Sequence, residues 1–292
     1  MPEQLSFYAE EIRPGEFHAI GAFIPADRDR SWFPNEPGRW LPVQAYLLVA
    51  AGNFVLLDTG IAPFREPLLA AVRERGGACP ARRVLLTRRE PDTTINLPAV
   101  VDAFGITTVS CVGELSPLDF FENLDEANTV AHIWASAGTA VDWLRPGSIV
   151  EIGPWRFEVL RAPVRVLSTG YYYEHTTRTL FASDGWGFLT VPEPSGSIVA
   201  REGDGIAAAR IATYLSRKFD WTLGADTTSL CEEIRSLEDN YEIARLCCNT
   251  GCVIEGVELV RRTFSETKQA LMSLGRRPRQ SLLTEGVIEK LL

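Results

Sequence analysis

The chain has 292 residues, 46% hydrophobic and 23% charged, which is enough to bury a large core and leaves little room for extensive disorder. A formal net charge of -9 argues against duplex nucleic acid as a partner. No stretch approaches the roughly twenty apolar residues of a membrane span, and MPEQLSFYAEEIRPGEF lacks the basic and apolar segments of an export signal. The expectation is one cytoplasmic domain over residues 1–292, with no membrane contact.

Six cysteines, at 79, 111, 231, 247, 248 and 252, form neither paired CxxC knuckles nor a secreted disulfide framework. Free thiols in a reducing compartment are expected.

In chain order, EFHAIGAFI (16–24) reads as a first strand and DRDRSWFPNEPGRWLP (27–42) as a loop. VQAYLLVA and NFVLLDTG are apolar runs separated by Ala51-Gly52, the signature of a hairpin between buried strands. PFREPLLAAVRERG (63–76) has helical spacing and a glycine stop. A strand at 83–87, a helix near 95–104 and the strand TTVSCV (107–112) follow. After a mixed segment, residues 148–184 are β-rich. The last third is mainly helical, interrupted by ARLCCNTGCVIEG (244–256), a short strand and loop leading into a helix. Strands apolar throughout need cover on both faces, which predicts a layered α/β sandwich with helices outside.

The stretch VLLTRREPDT (84–93) drives an apolar strand into two arginines and two carboxylates. The mouth of a strand is a common place for a catalytic site, yet the segment contains no histidine, cysteine or serine.

Taken together, these segments resemble the metallo-β-lactamase superfamily. YLLVAAGNFVLLDTG is similar to its opening hairpin, LLTRREPDT to its metal motif, LFASDGWG to the turn with the bridging aspartate, and NTGCVIEG to the loop with the last histidine. Glutamate in the second ligand place is similar to the H-x-E-x-D-H pattern of flavodiiron and oxygen-binding di-iron proteins. The resemblance implies a four-layer αββα sandwich of metallo-β-lactamase type, and carries four histidine places to Arg88, Thr93, Arg165 and Thr250. The three carboxylate places are kept as Glu90, Asp92 and Asp184, with eighteen residues between Arg165 and Asp184 as in the di-iron pattern.

By that resemblance, one metal would have held Glu90 and Asp184 and lost its imidazoles to Arg88 and Arg165. The other would have held Asp92 and Asp184 and lost its imidazoles to Thr93 and Thr250. Guanidinium has only donors, hydroxyl is a weak ligand for iron or zinc, and three carboxylates suit at most a hard ion such as magnesium. Two guanidiniums among three carboxylates instead predict a salt-bridged cluster with no metal and no cofactor. That cluster is either a structural plug or a site where an arginine receives a small anionic ligand and a carboxylate serves as acid or base.

Other candidates carry weaker signals. His18, His132 and His175 match no ligand place, and His175 is expected on a hairpin turn facing water. Cys247, Cys248 and Cys252 read as small apolar filling. Cys252 is the one thiol a neighbouring arginine would activate. Trp32, Phe33, Trp40, Tyr171, Tyr172 and Tyr173 line a pocket or pack a dimer interface, with Trp32 and Tyr172 joining Arg88 and Arg165 as ligand-binding candidates. The basic run RRPR at 276–279 reads as a solvated helix end.

The function expected is that of a metal-free pseudoenzyme that binds a ligand, regulates or scaffolds. The resemblance implies a homodimer, and no flavin-linked electron delivery is expected from these residues. The rival reading is a repurposed metal-independent hydrolase or lyase using Arg88, Glu90, Asp92, Arg165 and Asp184. A third is residual oxygen-binding di-iron chemistry.

Overall fold

A computed structural model describes residues 5–27, 30, 32–113, 138–164, 168–203 and 205–275. His132, Arg165 and the basic run at 276–279 lie outside the described residues. Within them no helix is long and apolar enough to cross a membrane.

Two seven-stranded sheets face each other. The first runs in chain order: β1 (Ser6–Arg13), β2 (Phe17–Pro25), β3 (Trp40–Ala50), β4 (Asn53–Leu57), β5 (Ala81–Leu86), β6 (Thr108–Val112) and β7 (Ala140–Leu144). The second comprises β8 (Ile149–Ile152), β9 (Trp155–Arg161), β10 (Gly170–Glu174), β11 (Thr179–Phe181), β12 (Val199–Ala200), β13 (Arg245–Cys247) and β14 (Val253–Glu255), in the order β12-β14-β13-β11-β10-β9-β8. Helix α1 (Arg65–Gly76), the short α2 (Pro91–Thr94) and α3 (Leu97–Phe104) belong to the first sheet's half. Helices α4 (Ala208–Lys218) and α5 (Thr228–Asn240) each pack on α6 (Val257–Gly275), and α6 lies against β13 and β14. The arrangement is the αββα sandwich.

Local chemistry explains the elements. Strand β2 and the centre of β3 are buried at successive positions, as strands covered on both faces must be. The β3–β4 hairpin turns through Ala51 (φ 49°) and Gly52 (φ 74°), the two left-handed residues of a tight hairpin. The first strand is not residues 16–24 but Ser6–Arg13, an edge strand whose alternation of half-buried and exposed residues includes Glu10 and Glu11. Strand β7, within the mixed segment, is likewise an edge strand with Trp143 exposed. The loop expected after β13 returns as β14, antiparallel to it.

Aromatic rings join the two sheets. Phe181 of β11 lies 5.6 Å from Phe17 of β2, 5.5 Å from Tyr46 of β3 and 6.3 Å from Phe157 of β9, ring centre to ring centre. Such tilted and edge contacts add to the area the rings remove from water. Truncating Phe181 to alanine is expected to cost about 3–5 kcal/mol, as for other buried aromatics. A urea midpoint equal to wild type would show that the sheets do not depend on this cluster.

Candidate binding site at the strand ends

Four segments meet beyond the ends of β4, β5, β11 and β13. They supply Asp58, the run Thr87–Asp92, Ser183 with Asp184, and Thr250. The carboxyl ends of strands in open sheets are where α/β folds place ligands.

Asp58 and Ser183 adopt φ of 60° and 53°, a region uncommon for residues with a Cβ. Hydrogen bonds hold both. The Asp58 carboxylate accepts from the Thr87 amide at 2.8 Å and from its hydroxyl at 2.7 Å, and Thr87 Oγ1 lies 3.0 Å from Ser183 Oγ. Ser183 Oγ also accepts from Arg88 Nη1. The chain of contacts ties the two sheets together at the base of the site. Burial pushes the Asp58 carboxyl up to about 7, against the opposing pull of the Thr87 amide, the Arg88 charge and the Thr87 hydroxyl.

Arg88 is the centre of the cluster. Its side chain is 1% exposed, its Nη2 contacts Asp92 Oδ2 and lies 3.4 Å from Asp184 Oδ2, and its Nε lies 3.4 Å from Glu90 Oε2. Burial pulls the guanidinium down, but Asp184, Asp92, Glu90 and Asp58 together raise it above its ordinary value. It therefore stays charged.

A second cation enters from the helical layer. Lys218 Nζ lies 2.9 Å from Asp184 Oδ2 and 5.0 Å from the centre of the Trp32 ring. Lys218 lies outside the strand-end motifs, on a helix that no motif marks. The signal was present in α4, where Ile211, Tyr214, Leu215 and Lys218 share one helical stripe and Lys218 is the charged member.

The threonines in histidine places do different work. Thr93 Oγ1 lies 2.9 and 2.8 Å from the carbonyls of Arg88 and Glu90, bracing its own turn. Thr250 is buried on the wall of a cavity of about 320 Å³. Ile24, Trp32, Val43, Ile61 and Pro91 give that cavity its apolar walls, and Glu90, Asp92 and Lys218 its charges. Gly251 shapes the adjacent loop: at φ 78° it approaches Gly187 so closely that a Cβ would sit 2.6 Å from the Gly187 carbonyl carbon.

Several expected roles are corrected. Tyr172 does not face the cavity; it is fully buried and its hydroxyl donates to the Leu86 carbonyl at 2.9 Å. Tyr171 packs on Trp186, and Tyr173 donates to the Glu242 carbonyl, so the three tyrosines are not pocket wall. Arg88 is too deeply engaged to serve as an anion receptor. His175 sits on the β10–β11 turn, but its Nε2 lies 3.1 Å from Glu158 Oε2 rather than facing water alone. His18 is buried, and burial lowers its pKa. Burial holds the Cys248 and Cys252 thiols up near 12, and for Cys252 the nearby Arg210 and Arg39 do not overcome it. Cys247 is also raised by burial.

Among the described residues, no group of three or more His, Cys, Asp or Glu side chains is placed to hold a metal ion. The di-iron group does not fit this donor set. A guanidinium stands among the three carboxylates and an ammonium lies on the deepest of them.

The fold is the metallo-β-lactamase-like core of flavodiiron proteins. The chain is similar to rubredoxin:oxygen oxidoreductase from Desulfovibrio gigas, with a TM-score of 0.69 and 15% identity over 91% of this chain and 62% of that one. It is also similar to a flavoprotein from Thermotoga maritima, with a TM-score of 0.65 and 16% identity over 91% and 61% of the two chains. A flavodiiron protein from Giardia intestinalis matches with a TM-score of 0.62 and 16% identity over 94% and 61%. This chain thus spans less than two thirds of each of these three. At the level of sequence no family profile and no curated protein matches.

Two outcomes follow from the geometry. Replacing Arg88 with methionine leaves its carboxylate partners without their shared cation and is expected to lower stability at pH 7, by less than the about 3–5 kcal/mol of a fully buried broken pair because Lys218 still neutralises Asp184; an unchanged denaturant midpoint would contradict the buried cluster. The second concerns Asp58. Its folded-state pKa lies above the unfolded value, so the folded form binds the extra proton, and its contribution to stability is lost as pH rises from about 4 to about 7. Asp58→Asn cannot lose that proton, so its stability relative to wild type is expected to improve across this range. A constant difference between the two unfolding profiles would refute the assignment.

Proposed function

We propose that this chain is a metal-free ligand-binding protein on a flavodiiron-type core, a pseudoenzyme with respect to oxygen chemistry. One observation carries the reading: the Arg88 guanidinium, 1% exposed, contacts all three retained carboxylates. A positive charge fixed there opposes any metal ion, since at about 4 Å two unit charges repel by about 4 kcal/mol even at an effective dielectric of 20. The cavity supports binding rather than filling, because it stays open beside the cluster at about 320 Å³.

The ligand that suits this cavity is small, with an apolar body against Ile24, Val43, Ile61 and Trp32. Among the described residues, Lys218, not Arg88, is the cation that lines the cavity within reach of an anionic group on it. The protein is further proposed to work as one domain in the cytoplasm and to form a homodimer. Exposed Trp143 and Ile149, on β7 and β8, each an edge strand of its own sheet, support the dimer.

Elemental analysis of protein purified from iron- and zinc-supplemented medium tests the reading. Far less than one metal per chain is expected. Close to two per chain would overturn it. Benzoate, an apolar carboxylate, is expected to quench tryptophan fluorescence saturably in wild type and to do so more weakly in Trp32→Phe.

A further inference from the structure

Asp184 has no exposed side-chain surface, and two cations converge on its Oδ2 from different layers of the sandwich. Arg88 arrives from the end of β5, 3.4 Å away, and Lys218 from the last residue of α4, 2.9 Å away. Arg88 also holds Glu90 and Asp92, and Lys218 shares the cavity with Glu90, Asp92 and Thr250. Among the described residues, two cations thus flank Asp184, the one carboxylate both of them touch.

Helix α4 is built to deliver the second cation. Tyr214, one turn before Lys218, donates its hydroxyl to the Asp184 carbonyl at 2.5 Å, so two residues at i and i+4 grip the same aspartate. The lysine side chain is 10% exposed, its ammonium lies over Trp32, and its place at the helix C-terminus favours positive charge. Trp32 packs on Phe33, which packs on Tyr214, closing a ring of contacts around the lysine. A surface lysine making a chance ion pair would have none of this support.

We propose that Lys218 is a tethered cation filling the second half of the former metal centre, and that this half-site is specific for a primary ammonium. The inference rests on the metal-free reading above but is tested without any metal, so either can fail alone. An ammonium meets the needs of the position in three ways: it carries the charge Asp184 requires, it donates N–H to Oδ2, and it presents a cation to the Trp32 face.

Lys218→Ala in the full chain removes the tether and leaves room for a free cation. Its thermal midpoint is expected to fall by several degrees, and ethylammonium chloride is expected to restore most of the loss saturably. Sodium chloride and tetramethylammonium chloride at equal ionic strength should not, since the first cannot donate a hydrogen bond and the second has no N–H. Wild type and Arg217→Ala, an exposed neighbour, should show no ethylammonium dependence. Equal restoration by all three salts, or by none, would overturn the proposal. If the alanine variant does not fold, Lys218→Gln and Lys218→Arg decide instead. Arginine keeps the charge and N–H donors but is not a primary ammonium, so both variants must be less stable than wild type, and an arginine variant with the wild-type midpoint would overturn the proposal.

Discussion

A buried guanidinium among three carboxylates is the interaction on which the site depends. Arginine suits the position because its planar fork can address several carboxylates at once and it never loses its charge. Lysine in the same place would offer one compact charge to partners lying on different sides. The arrangement also explains why the carboxylates persist. Asp184, fully buried, is a liability when alone, and it is held by the same cation as the partly exposed Glu90 and Asp92.

The frame around Arg88 is strained in a directed way. Asp58 and Ser183 are both held at positive φ, one from each half of the sandwich, and Thr87 touches both side chains. Backbone in that region persists where surrounding contacts over-determine it. Here the contacts run without a break from Asp58 through Thr87 and Ser183 to Arg88, so the position of the guanidinium and the registry of the two sheets are coupled. A change at Thr87 would be felt at both.

Much of this was legible in the sequence, for identifiable reasons. Ala51-Gly52 between apolar runs marks a hairpin because a tight turn needs two left-handed residues. The order of the DTG, RREPDT, SDG and NTG turns located the strand ends that form the site. What stayed hidden is equally physical. Strands β1 and β7 lie at sheet edges, where one side meets water and the apolar signal is diluted by Glu10, Glu11 and Asp142. A tyrosine beside a ligand place, such as Tyr172, invites the role of pocket wall or of dimer interface. One step of strand alternation decides instead whether its hydroxyl meets a cavity or the Leu86 carbonyl. Lys218 was invisible to motif reading because it comes from a helix far along the chain, and only its place on a buried stripe sets it apart.

Stability alone does not account for such a centre. Buried ion-pair clusters are commonly no more stable than well-packed apolar side chains of the same volume. An apolar plug would have satisfied the fold, since the core on either side is already built from Phe17, Phe181, Trp186 and their neighbours. Instead the chain keeps Glu90 and Asp92 partly open, at 35% and 27% exposure, beside a lysine and a tryptophan face at the rim of a cavity. In the proposed binding role, charges arranged at different depths would fix a ligand's polar end and direct its apolar body toward Ile24 and Ile61.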